Sequence, residues 1–197
     1  MPDSYIPLPL PGINSGTFWE SAIVQTYPVV PYAREQLTED QIGQLLWAGR
    51  VSCGIRESKH AKGATWLMLY VCRADGAWRY HAQEHCLTKH LREDVRGDLA
   101  DAARNRCFIA QAPCILVFVA IPRCGTARFG RRWLHCLPIE VGRVVERMRL
   151  QAIALGLASV PIVEFDCMGV DRVLTLSRQE EPLYLLPVGW PAGDDCR

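Results

Sequence analysis

Leu155-Gly156-Leu157-Ala158-Ser159-Val160-Pro161-Ile162-Val163-Glu164-Phe165-Asp166 is the stretch on which the reading of this chain turns. Upstream of it, Val141, Val144, Val145, Met148, Ala152 and Leu155 recur at helical spacing while Arg143, Arg147 and Arg149 take the other face. Residues 139–155 therefore read as a long amphipathic helix, with Pro138 suited to its first turn. Next, a short apolar strand over 159–163 runs into the acidic turn Glu164–Asp166. A helix over 169–176 and a strand over 183–188 complete the chain.

Working back towards the N-terminus, Ala112 to Ile121 is a strand too apolar to have a wet face. Residues 92–106 alternate charge with Val95, Leu99, Ala102 and Ala103, which predicts a solvent-facing helix. Trp66–Cys72 and Trp78–His81 read as strands paired across the turn at Ala74-Asp75-Gly76. Thr38-Glu39-Asp40-Gln41 is a capping box, opening a helix that buries Ile42, Leu45, Leu46 and Trp47. Residues 1–37 form an extended arm rich in Pro and Gly, with a short helix over 18–26. Residues 38–197 form one domain, in which helices mix with about four strands: an α+β fold.

The chain has 197 residues and a net charge of +1, with 49% hydrophobic and 22% charged residues, as expected of a soluble globular protein. That charge sets up no field for nucleic acid or an anionic membrane. No apolar run approaches the ~18 residues of a membrane span, and the first residues lack the pattern of a secretory signal, so a cytoplasmic location is expected. The nine cysteines are scattered, none at Cys-x-x-Cys spacing, and read as mainly buried structural thiols.

Several segments, taken in order, carry a family resemblance: Gln44-Leu45-Leu46-Trp47-Ala48, Leu69-Tyr70-Val71, Gly76-Ala77-Trp78-Arg79-Tyr80, Phe129-Gly130-Arg131-Arg132 and Glu140-Val141-Gly142. Ala154-Leu155-Gly156-Leu157, Pro161-Ile162 and Glu181-Pro182-Leu183-Tyr184-Leu185-Leu186-Pro187-Val188-Gly189 follow. With these, the chain from about Thr38 onward resembles the SagB-type dehydrogenase branch of the nitroreductase family. The resemblance implies a nitroreductase-like α+β fold, with a central, mostly antiparallel sheet flanked by helices. It also implies FMN held at the interface of a homodimer, and oxidation or reduction of a small molecule or modified peptide, with NAD(P)H or the substrate as electron source. Pro161, Ile162, Val163 and Glu164 would then meet the flavin ring.

Against that pattern the chain departs at four places. The family's Arg-Ser-x-Arg motif for the FMN phosphate falls on Tyr27-Pro28-Val29-Val30, without an arginine. The family's Pro-Ser-Ala-Gly-Ala-Leu-Tyr-Pro falls on Lys59-His60-Ala61-Lys62-Gly63-Ala64-Thr65-Trp66, where only Ala61 stays in place. Arg56, which matches a preceding family arginine, and Lys59, His60 and Lys62 are the candidate phosphate and ribityl donors; a solvated basic loop is the other reading. Glu164 stands at a family glycine beside flavin N5, adding negative charge next to a ring that becomes anionic on reduction. Finally, Trp190 replaces an arginine after Pro-Val-Gly, and the helix's Gly-His-x-x-Gln pattern becomes Gly142-Arg143-x-x-Glu146.

These departures open an alternative: a flavin-free pseudoenzyme that binds a peptide or another subunit. Two further constellations weigh less. His81, His85, Cys86 and His90 have spacing that a helix could turn into a zinc site, but they sit at a strand end and read as a surface turn, so no metal is expected. Arg123, Arg128, Arg131 and Arg132 interleave with Phe129 and Trp133, a composition suited to an acidic or phosphorylated ligand or to a solvated loop.

Overall fold

A computed structural model describes residues 5–9, 31–52, 66–104 and 106–192. Seven antiparallel strands form one sheet in the order β1-β4-β3-β2-β5-β7-β6: β1 Tyr5–Pro7, β2 Leu67–Arg73, β3 Gly76–His81, β4 Cys86–Leu91, β5 Cys114–Ala120, β6 Ala158–Ser159 and β7 Glu181–Gly189. Of the five strands read from the sequence, those over 66–72, 78–81, 112–121 and 183–188 form, while 159–163 shrinks to Ala158–Ser159 and an isolated bridge at Ile162. The additional ones are too short, or too mixed in composition, to announce themselves.

Burial explains the unbroken apolar runs. On β2, Leu67, Leu69 and Val71 face one core while Met68, Tyr70 and Cys72 face the other. On β5, Cys114, Leu116, Phe118 and Ala120 oppose Ile115, Val117 and Val119 in the same way. One face is covered by α1 (Glu39–Ser52) and α5 (Trp133–Ala154). The other is covered by α2 (Arg96–Ala102), α3 (Cys107–Gln111) and α6 (Cys167–Val173), so the central strands meet no water on either side. The helix α4 (Pro122–Phe129) leads through a 3₁₀ turn (Gly130–Arg132) into α5.

The capping box forms as read: the Gln41 amide donates to Thr38 Oγ1 at 3.2 Å and the Thr38 amide to Gln41 Oε1 at 2.9 Å. Ile42, Leu45 and Leu46 are buried, whereas Trp47 is only half-buried. The axes of α1 and α5 pack closely because Gly49 carries no side chain; a Cβ there would stand 2.7 Å from the Met148 sulfur. The β2–β3 hairpin turns at Gly76, whose φ of 125° is closed to other residues.

The helix expectations need correction at several points. The long helix begins at Trp133, not 139, and Pro138 lies inside it. Its ring is on the solvent side, and the carbonyl it leaves unpaired belongs to exposed Leu134, at a position water can serve. Arg149, expected outward, has its side chain only 13% exposed because it folds back on Glu146 at 2.8 Å. The expected helices over 92–106 and 169–176 shorten to α2 and α6. The expected helix over 18–26 lies outside the described residues, while Tyr5–Pro7 of the arm pairs with β4 of its own chain.

Candidate functional site

The quoted segment forms a strap across the open side of β7. At Gly156, φ is 74°; the Gly156 amide bonds the Ile153 carbonyl and the Leu157 amide that of Ala152, at 2.9 and 2.8 Å, which is a Schellman ending for α5. Ala158–Ser159 then pair with β7. The Val160 amide donates to the Pro187 carbonyl at 3.2 Å, and Ile162, 1% exposed, exchanges both backbone bonds with Leu185 at 2.9 and 3.0 Å. The strap is fixed again at Asp166, whose amide donates to the Ala102 carbonyl at 2.8 Å and whose carboxylate caps α6 through the Met168 amide at 3.1 Å.

Between these anchors lie Val163, Glu164 and Phe165, whose amides donate to no described residue. Val163 is 60% exposed, and Glu164 is exposed too, its Oε2 accepting from Arg106 Nη2 at 3.0 Å. Three successive donors without a partner among the described residues, on a stretch held at both ends, suit an acceptor-rich or anionic ligand.

A second group of residues gathers at the end of β7. Tyr32 bridges Pro191, the Ala33 amide donates to the Trp190 carbonyl at 2.9 Å, and the Ala192 amide donates to Pro31 at 2.8 Å. The buried Tyr32 hydroxyl donates to the Pro187 carbonyl at 3.0 Å. Residues 31–33 thus run beside 190–192, next to Gly156, where a Cβ would stand 3.5 Å from the Trp190 ring. The Trp190 indole N–H is buried there and has no partner among the described residues.

The sequence-predicted residues divide accordingly. Pro161, Ile162, Val163 and Glu164 come together on the strap. Arg56, Lys59, His60 and Lys62 lie outside the described residues, as do Tyr27–Val30. The three histidines turn to separate partners: His81 to Thr88 Oγ1 at 2.8 Å, His85 through Nδ1 to the Tyr80 hydroxyl at 2.8 Å, and His90 to the Leu174 carbonyl at 2.7 Å. His85 is buried in its turn, not at the surface, and burial pushes its pKa below the usual value. Among the described residues, no three His, Cys, Asp or Glu side chains gather as a metal site.

Trp133 offers no ligand platform: it is buried edge-to-face against Trp66 at 6.0 Å and over Gly125, leaving Arg123, Arg131 and Arg132 exposed without it. The thiols are mixed: Cys72, Cys86 and Cys114 are buried, but Cys107 and Cys167 are exposed. Arg106 was missed by the sequence reading, because nothing in the chain ties it to a glutamate 58 positions away.

A seven-stranded antiparallel sheet with helices on both faces, and a strap leaving the sheet beside the last long strand, define an α+β fold. The family model for the nitroreductase family matches residues 29–190, and the chain belongs to that family. A relative from Methanocaldococcus jannaschii, itself named as a nitroreductase, is 30% identical over 182 residues, covering 86% of this chain and 89% of the relative. Among solved structures, a nitroreductase from Ralstonia eutropha superposes with a TM-score of 0.79 at 23% identity, over 98% of this chain and 94% of that one. One from Anabaena variabilis superposes at 0.76 and 16% identity, over 96% of this chain and 42% of that one. These two structures establish the fold. No helix among the described residues is long and apolar enough to cross a membrane.

Proposed function

We propose that this chain is an FMN-dependent oxidoreductase of the SagB-type branch, working as a homodimer on a small molecule or modified peptide. The observation that carries this reading is the run of three amides, Val163 to Phe165, that donate to no described residue, between the Ile162–Leu185 bridge and the Asp166–Ala102 bond. A flavin ring has the complementary edge, rich in hydrogen-bond acceptors, and when bound it supplies the hydride and electron chemistry. The chain's own part is to hold and orient it. The strap amides would donate to the ring, Pro161 and Ile162 keep the strap from yielding, and the orphaned Trp190 N–H is a further donor. Arg56, Lys59, His60 and Lys62 are assigned to the phosphate and ribityl chain. Leu134, Ile139, Val163 and Met168, each 60–75% exposed, are the large apolar side chains that a second copy would cover.

A second reading, a flavin-free protein that binds a peptide or another subunit, is favoured by one observation. Trp190 already occupies the corner between Gly156 and residues 31–33, where a cationic side chain would serve a phosphate. The visible spectrum of the purified protein, after incubation with excess FMN and desalting, separates the two. Retained bands near ~450 nm support the oxidoreductase; a folded dimer that retains none refutes it.

A further inference from the structure

Glu164 is the single ionisable side chain on the free stretch of the strap, and a guanidinium from the α2–α3 connection holds it. Arg106 Nη2 lies 3.0 Å from Glu164 Oε2, and among the described residues Arg106 makes no other ion pair. The next acid, Asp166, has Arg172 at 3.8 Å. Both carboxylates at the free end of the strap are thus matched by arginines from flanking helical segments. Without Arg106, the Glu164 carboxylate would stand uncompensated beside its own free amides. It could turn back onto them as an acceptor, or repel any ligand edge carrying negative charge.

We propose that Arg106 is a positioning residue for the ligand of this strap: by drawing the Glu164 carboxylate to itself, it leaves the 163–165 amides open and the strap electrically neutral. The proposal rests on the flavin reading above and adds to it a residue with no place in the family resemblance. It has a signature that a packing role lacks. A ring that gains negative charge on reduction is penalised by an unmatched carboxylate more than the oxidised ring is, so losing Arg106 must weaken reduced flavin more than oxidised flavin. Losing Glu164 as well must cancel the effect.

The test uses the full chain and FMN. Fluorescence titration gives the Kd for oxidised FMN, a dithionite titration gives the midpoint potential of the bound flavin, and far-UV circular dichroism confirms folding. Arg106→Ala should raise the ratio of reduced to oxidised Kd about two- to fivefold, the scale of a solvent-screened charge at close range. Arg106→Ala/Glu164→Gln should return that ratio to the wild-type value. Glu164→Gln alone, which leaves the backbone and Arg106 in place, should move the potential upward. An Arg106→Ala protein with wild-type Kd and potential overturns the role of Arg106 and leaves the flavin reading standing. A double variant as impaired as the single overturns it too, since Arg106 would then act only through packing. Wild-type protein that takes up no FMN overturns both.

Discussion

Asp75 gives the sharpest test of how the sheet is tied to α1. From the β2–β3 turn its carboxylate accepts from Arg73 at 2.7 and 3.2 Å, from the Trp78 indole at 3.2 Å and from Lys89 at 3.3 Å. Arg73 reaches onward to Glu39 in the first turn of α1 at 2.6 Å, and Lys89 lies 3.7 Å over the Trp78 ring. Asp75→Ala removes four charge-assisted or indole bonds from three partners and leaves a 2%-exposed tryptophan whose N–H has lost its carboxylate acceptor. Bonds to charged groups contribute ~1.5–3 kcal/mol each when buried. The Asp75 side chain is half exposed, which reduces that figure, and Arg73 keeps Glu39. The net loss should be about 2 kcal/mol, or about 4–8 °C in Tm for a chain of this size. Burial alone would raise the Asp75 pKa, but the hydrogen bonds from Arg73 and Trp78 and the charge of Lys89 outweigh it and hold the group below its ordinary value. Its stabilisation is therefore fully present above ~3.8, the unfolded value, and is lost as pH falls from there through the folded pKa. Thermal melts of wild type and Asp75→Ala from pH 7 to pH 2.5 should converge at the acid end. A difference under ~0.5 kcal/mol at pH 7, or curves that stay parallel into acid, would refute the network as the link.

Gly125→Ala drives a methyl group into the space the Trp133 ring already fills, and should lower stability by ~2–3 kcal/mol in a urea melt. Gly49→Val should force α1 and α5 apart at Met148 and cost ~1–3 kcal/mol, read the same way. At neutral pH, alkylation followed by peptide mapping should label Cys107 and Cys167 in the native protein. Cys114, whose thiol burial pushes up to about 12, and Cys72, pushed up further, should react only on unfolding. His85, held below its usual pKa chiefly by burial, should add a second acid loss beginning near ~6.5, where the unfolded imidazole first takes a proton, and His85→Gln should remove it from the melt profile.

What the sequence disclosed is what packing dictates. β5 was legible because seven consecutive buried residues admit no polar alternation, α5 because its inner face repeats at 3.6, and the start of α1 because a capping box is local chemistry. β1 and the bridge between residues 31–33 and 190–192 were not legible, and β6 was read too long and too late, since two or three residues hold a register only through long-range partners. The start of α5 was misplaced because Pro138 is locally a helix-opening residue, while burial of Trp133 over Gly125 extends the helix past it. On the strap, Glu164 was singled out from the sequence and its ion-pair partner Arg106 was not: an ion pair across 58 residues leaves no periodic trace.

The same division explains how a chain can keep this fold while changing the exposed residues of the strap. Gly156 is held by a positive φ, Ile162 by complete burial and a two-bond bridge to Leu185, and Leu157 by the core beneath α5. Replacing any of these costs stability whatever the strap binds. Glu164 is under no such constraint, being exposed on a stretch that donates to nothing described. A glutamate there is tolerated by the fold because it points to Arg106 rather than into a core. Framework and chemistry are thus separable along this one segment: the anchors at 156–162 and 166 report on folding, and the three residues between them report on the ligand. Variation at Glu164 should therefore move flavin affinity and potential with Tm nearly unchanged, whereas Ile162→Ala should lower Tm first, with a loss of ~2–5 kcal/mol.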